Sequence, residues 1–193
     1  MKLFLKGERC NMAKCPIETG RNPPGMHGEK RTKLSDFGRQ FREKQRLRRF
    51  YGMQDNQFRV FFHKAARKHG ITGETLLQML EMRLDNLVYR IGFVRSRRAA
   101  RQFVLHGHVQ VNRKRADIPS MILKPGDHID VKNRKKSRDL AKRSLEATEG
   151  KTIAPWLLLD RGAFHAEVVH LPKKEEIAPL VDVQLVVELC SKS

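Results

Sequence analysis

Carboxylates are scarce in this chain, and the shortage falls mainly on one part of it. Of 193 residues only 21 are Asp or Glu, against 40 Lys or Arg, which leaves a net charge of +19. A folded body with that excess repels itself unless a polyanion neutralises it, so nucleic acid is the expected partner. Residues 1–145 carry 35 basic and 13 acidic side chains, while residues 146–193 carry 5 and 8. The partner is therefore expected to meet the first three-quarters of the chain. Long apolar runs are also missing. None approaches the roughly 18 residues of a membrane span, and the opening "MKLFLKGERC" has no extended apolar signal core, so no membrane partner is expected. Three cysteines, an odd number, do not make a secreted disulfide framework, and a reducing cytoplasm is the expected setting. Catalytic signatures are absent too. "GERCNMAKC" lacks the Gly-Lys-Ser/Thr ending of a phosphate-binding loop, and no G-x-G-x-x-G occurs. Eight histidines allow any Asp–His pairing to be drawn without selecting one. No enzyme is expected.

What is present reads as one large domain or two small ones. Aromatics make up only 7%, so the core must rest on Leu, Val, Ile, Phe and Met. Residues 1–34, with Pro23-Pro24-Gly25, read as a basic extended segment. Ser35 is placed to cap a helix running to about Tyr51 and stopped by Gly52. Its sequence, "DFGRQFREKQRLRRFY", offers Lys44, Arg46, Arg48 and Arg49. A second helix from Asp55 to His69 carries Phe58, Phe61, Phe62, Ala65 and Ala66 on one face, with Arg67 and Lys68 near its end. A third helical stretch opens at Thr72. Its Leu77, Leu80, Leu84, Leu87 and Ile91 have core spacing up to Gly92, with Asp85-Asn86 as the expected break.

In "SRRAARQFVLHG", at 100° per residue, Arg97, Arg98 and Arg101 fall at about 0°, 100° and 40°, while Ala99, Ala100, Phe103 and Val104 fall on the other side. One face packs and the other presents guanidinium groups; Leu105 is the exception, at the margin. The period then becomes two: Val109 and Val111 form a strand, Asn112-Arg113 turn the chain, and "KRADI" returns. "KPGD" at 124–127 is a tight turn and "HIDV" another strand. "KNRKKSRDLAKRSLEA" reads as a basic connector into a short helix. "PWLLLD", "AFHAEVVHL" and "VQLVVEL" are strand-like, the last equally compatible with a helix.

From Asn86 to Ala116 eight Lys or Arg occur and no acid. A solvated face normally mixes both signs. Arg95, Arg97, Arg98 and Arg101 from the helix and Arg113, Lys114 and Arg115 from the hairpin are expected to form one basic wall for phosphate. His106 and His108 flank Gly107; on a strand they would point to opposite faces, a poor start for a shared metal. The expected reading is that Gly107 ends the helix in a left-handed conformation and leaves both histidines beside the arginines. Cys10 and Cys15 form a C-x4-C pair, half a zinc site, with His27 as a conceivable third ligand; ordinary free thiols are the simpler reading, and no cofactor is expected. Cys190 reads as core.

"SDFGRQFREKQRLRRFYG", "TGETLLQMLEMRLDNLVYRIGFVRSRRAARQFVLHGHVQVN", "IPSMILKPGDHIDV" and "LVVELCSK" resemble the family of the fourth protein of the bacterial 30S subunit, over nearly the whole chain. Residues from about Met82 to Val131 resemble the small RNA-binding domain named after it, which also occurs in some pseudouridine synthases, tyrosyl-tRNA synthetases and a heat-shock RNA binder. The resemblance implies an α+β fold. An all-helical domain (35–82 plus the C-terminal residues 171–193) carries an inserted α/β RNA-binding domain, 83–170 with its core at about 82–145, of helices on a small antiparallel sheet. It implies binding to small-subunit ribosomal RNA where helices of the 5′ domain meet, nucleation of assembly, and contact with neighbouring small-subunit proteins including number five. It further implies influence on decoding accuracy, a place where mRNA enters the subunit, and in some members repression of their own operon.

RNA contacts are implied at Arg46, Arg48, Arg49, Arg67, Lys68, Arg95, Arg97, Arg98, Arg101, His106, His108, Asn112 and Lys114. Three departures stand out. The C-x2-C pair that many relatives carry ahead of Leu3 is absent, so Cys10 and Cys15 cannot complete a four-thiolate site. Arg113 replaces a frequent glycine and disfavours a type I′ turn. Cys190 replaces a tyrosine. An RNA-modifying enzyme built on the same module would need a further catalytic domain, for which residues 132–193 are too short. A free-standing chaperone of stalled ribosomal particles would not need residues 35–82.

Overall fold

The computed structural model describes residues 2–28, 33–150, 152–177 and 181–192; the part of the expected N-terminal segment at 29–32 lies outside the described residues. Helix α1 (Asp36–Phe50) starts where Ser35 Oγ accepts the Gly38 N–H at 3.2 Å, and Gly52 at φ +65° turns the chain after it. Helix α2 (Asp55–Ala66) ends three residues short of the expected His69. Helix α3 (Thr72–Glu81) follows, and the last helix of the chain, α7 (Val183–Ser191), returns to pack on α1 and α3. Asp182 caps α7 through the Gln184 and Leu185 N–H groups. Gly73 permits the close approach: a Cβ there would lie 2.8 Å from Val183 Cγ1. Of the three late apolar runs, "VQLVVEL" is thus the helical one.

The long helical stretch breaks at Met82-Arg83, ahead of the expected Asp85-Asn86, and resumes as α4 (Leu84–Ile91). A distant partner decides the place. Arg83, extended at φ −70° and ψ 139°, bridges Ile122, while Leu123 N–H bonds Met82 O and Leu84 N–H bonds Met121 O. Gly92 (φ +93°) stops α4, and α5 (Arg97–Leu105) begins at a Ser96 cap.

Strands β1 (Val109–Val111), β2 (Lys114–Ala116), β3 (His128–Val131), β4 (Leu157–Asp160) and β5 (His165–Val168) form one antiparallel sheet in the order β2-β1-β3-β5-β4. Helix α6 (Lys135–Ala147) joins β3 to β4. It is a thirteen-residue helix, longer than the short helix the basic connector suggested. Buried Ala100, Phe103, Val104, Val109, Ile129, Ala141, Leu145 and Ala166 join the core around Phe58, Leu76, Leu80 and Leu87, so helices and sheet share one apolar interior. The fold class is α+β. No helix among the described residues is long and apolar enough to cross a membrane.

Candidate nucleic-acid interface

Helix α5 divides as its periodicity predicts, with one exception. Ala100, Phe103 and Val104 are buried, and Arg98 and Arg101 are exposed, as is Leu105. Arg97 is the exception and corrects the expectation of a presented guanidinium. Its carbon sits 3.7 Å from the Phe50 ring centre and 4.5 Å from that of Tyr89, and its Nε donates to Asn86 Oδ1 at 2.9 Å. Arg97 therefore clamps α5 to the end of α1 and to α4. Its Nη2 is buried and has no hydrogen-bond acceptor among the described residues. Burial lowers its pKa.

Beneath the clamp lies a carboxylate that sequence reasoning missed. Glu81 is fully buried and accepts from Tyr51 Oη (2.7 Å), Asn86 Nδ2 (2.7 Å), Arg90 Nε (3.0 Å) and Arg90 Nη2 (2.7 Å). Burial alone would raise its pKa; the Arg90 charge and these bonds outweigh that and hold it below its ordinary value. Burial, then Glu81, pushes the Tyr51 hydroxyl well above its ordinary range. The acid-free window from Asn86 to Ala116 is in fact served by carboxylates just outside it. Glu81 takes Arg90, Asp85 lies 3.7 Å from Arg101, and Asp117 lies 3.2 Å from Arg115. Asp85 itself is gripped by the buried fork of Arg83 at 2.7 and 3.0 Å. These cations were readable as basic; the Glu81–Arg90 and Asp85–Arg101 pairings were not, because they join different elements, whereas Arg115–Asp117 is local.

At the other end of α5, Gly107 (φ +68°) ends the helix as expected. The His108 N–H reaches Phe103 O and the Gly107 N–H reaches Val104 O, while the His108 ring stacks on Phe103 at 4.8 Å. This is the Schellman arrangement with its accompanying side-chain contact. It also corrects the view of His106 and His108 as opposed strand residues: both precede β1, and their rings are 6.1 Å apart. His108 Nδ1 lies 2.9 Å from Ser137 Oγ, and burial followed by His106 lowers its pKa. His108 is thus a packing residue, while His106 is exposed.

The β1–β2 tip overturns another expectation. Asn112 (φ +50°) and Arg113 (φ +65°) both adopt the left-handed region, so the I′-type turn forms despite the arginine. Asn112 holds it: Nδ2 donates to Asp127 Oδ1 at 2.8 Å and Oδ1 accepts the His128 N–H at 2.9 Å. That commitment leaves Asn112 a scaffold residue, while Arg113, Lys114 and Arg115 project from it, exposed. Arg115 lies against Gly107, where an added Cβ would meet its Nε at 3.2 Å. Hairpin and helix end are therefore neighbours.

In the helical block, Arg49, Arg67 and Lys68 are exposed. Arg48 is tied to Gln45 and Arg46 to Glu43. Lys44 must be corrected: it is only 6% exposed, and its Nζ lies 3.0 Å from Asp55 Oδ1, joining α1 to α2. Arg95 is exposed and meets Glu8 at 3.1 Å, which ties residues 2–28 to the α5 region. Cys10 and Cys15 are buried free thiols, and no cluster of three or more metal-binding side chains occurs among the described residues. Cys190 is only half-buried and packs at the margin of the core.

The match to known proteins spans this whole arrangement. The chain is 48% identical to small ribosomal subunit protein uS4 of Thermoanaerobacter sp. (strain X514), over 100% of this chain and 92% of that protein. It is 47% identical to a uS4 of Thermus thermophilus, with the same coverage, and 52% identical to that of Geotalea daltonii, covering 99% and 92%. The chain belongs to the uS4 family. Residues 1–81 match the ribosomal protein S4/S9 N-terminal domain and residues 82–129 the S4 domain. In this uS4 family member the two matches meet where α3 ends, directly ahead of the Met82-Arg83 break. uS4 is a family of ribosomal proteins and not of enzymes. Residues 132–192 accordingly supply α6, β4, β5 and α7 to the shared fold rather than a separate catalytic unit. The surface of this uS4 family member includes one basic face absent from the sequence-based candidates, Lys135, Lys136, Arg138, Lys142 and Arg143 on α6, all exposed. Its signal, a dense Lys/Arg run with one acid, was readable.

Proposed function

We propose that this chain is a structural constituent of the small ribosomal subunit and docks on the 5′ domain of small-subunit ribosomal RNA where several helices meet, nucleating assembly there. The observation that carries the reading is the placement of exposed Arg98, Arg101, Arg113, Lys114 and Arg143 on α5, a bonded hairpin tip and α6, all anchored in one core. Such a junction offers dense phosphate and 2′-hydroxyls rather than readable major-groove edges, so rigidly held cations suit it. The exposed Arg49, Arg67 and Lys68 extend the reading to the helical block.

The reading places the chain on the 30S particle in the cytoplasm, beside neighbouring small-subunit proteins including number five and near the point where mRNA enters, where it contributes to decoding accuracy. The same cationic face suits a structured leader in the chain's own mRNA, and the reading includes autogenous repression through it. No metal takes part. Filter binding to a 5′-domain transcript tests the central claim. With roughly ten phosphates neutralised, log affinity falls against log salt with a slope of about −7 to −9. Failure to bind that transcript in low salt, or absence from sedimented small subunits, overturns the reading.

A further inference from the structure

Helices α5 and α6 leave an open groove of about 500 Å³ between them. Its floor is apolar: Phe93 and Phe103 are buried beneath it, and Leu140 of α6 carries the floor outward at 49% exposure. One wall is a row of rings. Phe103 and His108 stack with their centres 4.8 Å apart, and the His106 ring follows at 6.1 Å from that of His108. The row ends in solvent, because His106 is exposed. The rim is cationic. Arg95, which also meets Glu8, reaches over to α6, where its Nη2 donates to Arg143 O at 3.4 Å. Leu140 shares one stripe of α6 with exposed Lys136 and Arg143, so a large apolar side chain interrupts a basic row. A lone exposed leucine is ordinary on a protein surface. Leu140 differs because it continues the floor of a concave, ring-lined recess on a cationic face.

The occupant that fits is flat and apolar on its inner side and anionic on its outer side. A nucleotide divides in that way: its base stacks on rings and fills apolar space, while its phosphates stay outside. We infer that the groove between α5 and α6 takes a single unpaired nucleobase of the bound RNA. The base lies against His106 and Leu140, and its flanking phosphates face Lys136 and Arg143. The inference rests on the RNA-docking reading above and adds to it a contact made with a base rather than with charge.

Base-modification interference on a 5′-domain transcript, with the full chain, tests it. Purines are modified with diethyl pyrocarbonate and pyrimidines with hydrazine, and the native chain shows a set of bases whose modification blocks binding. Leu140→Asn and His106→Ala each lose interference at one and the same unpaired base and keep the others. Each binds about ten-fold more weakly. The salt slope of Leu140→Asn stays that of the native chain, because no charge is removed, whereas Arg143→Gln makes the slope shallower by about one. Both Leu140 and His106 are exposed, so the variants keep the native melting temperature. An unchanged interference pattern, or unchanged affinity in both variants, overturns the inference. If Leu140→Asn binds the transcript normally but enters assembled small subunits poorly, a neighbouring protein fills the groove and the base assignment falls. Failure of the native chain to bind the transcript at all is a different result and removes the docking reading itself.

Discussion

Arg97 lies 3.7 Å from the Phe50 ring centre, and through that contact α5 grips the end of α1. Removing the guanidinium with Arg97→Ala forfeits the stacking on Phe50 and Tyr89 and the bond to Asn86. Stability falls by roughly 2–4 kcal/mol, read as a lower urea midpoint at unchanged m-value. Phe50→Leu keeps most of the apolar volume and loses the cation–π contact with Arg97 and the edge contact with Tyr51, about 1–2 kcal/mol.

Glu81 sets the acid limit of the fold. Its carboxyl titrates below its ordinary value in the folded chain. The stability it contributes is therefore complete above the unfolded-state pKa of about 4.3 and is lost as pH falls through the lower folded value. Melting curves from pH 6 down to 3 show the native chain losing more stability than Glu81→Gln over that window. At pH 7, where that contribution is complete, Glu81→Gln is the less stable by about 3–5 kcal/mol, because the Arg90 charge is left without its counter-ion.

How far these features were legible in advance depends on where their causes lie. The Ser35 cap, the Gly92 and Gly107 stops and the packed face of α5 follow from neighbours within one or two turns, and all were readable. Arg97 was misread because helical periodicity knows one axis. It cannot register Phe50 and Tyr89, which approach α5 on its polar side. The break at Arg83 depends on Ile122, and the buried state of Lys44 depends on Asp55, both supplied by other elements. The exposed cations Arg98, Arg101, Arg113 and Lys114 were found because surface charge needs no partner to place it.

The Arg113 turn carries a removable strain. Arg113 occupies φ +65°, a conformation that costs an ordinary side chain about 1 kcal/mol and glycine almost none. Arg113→Gly therefore raises stability by roughly 0.5–1 kcal/mol in urea unfolding. RNA affinity moves the other way, since a cation leaves the hairpin tip.

Gly73 and Val183 test the seam between α3 and α7. Gly73→Ala gains helix propensity, but the new methyl meets Val183 Cγ1 at 2.8 Å, and the stiff β-branched rotamer cannot yield. The single variant is destabilised by about 1–2 kcal/mol. Adding Val183→Ala clears the space, so the double variant is more stable than the sum of the two singles; strict additivity in a thermal double-mutant cycle would contradict the contact.

Since α7 closes the block formed by α1 and α3, the N-terminal half of that block spends most of translation without its final partner. The strands and helices between residues 84 and 168 have all their mutual contacts as soon as β5 emerges, whereas the first helices must wait until α7 has left the exit tunnel. Maturation is thus ordered middle first and α7 last, and truncation ahead of Val183 strands the molecule with its oldest helices still open.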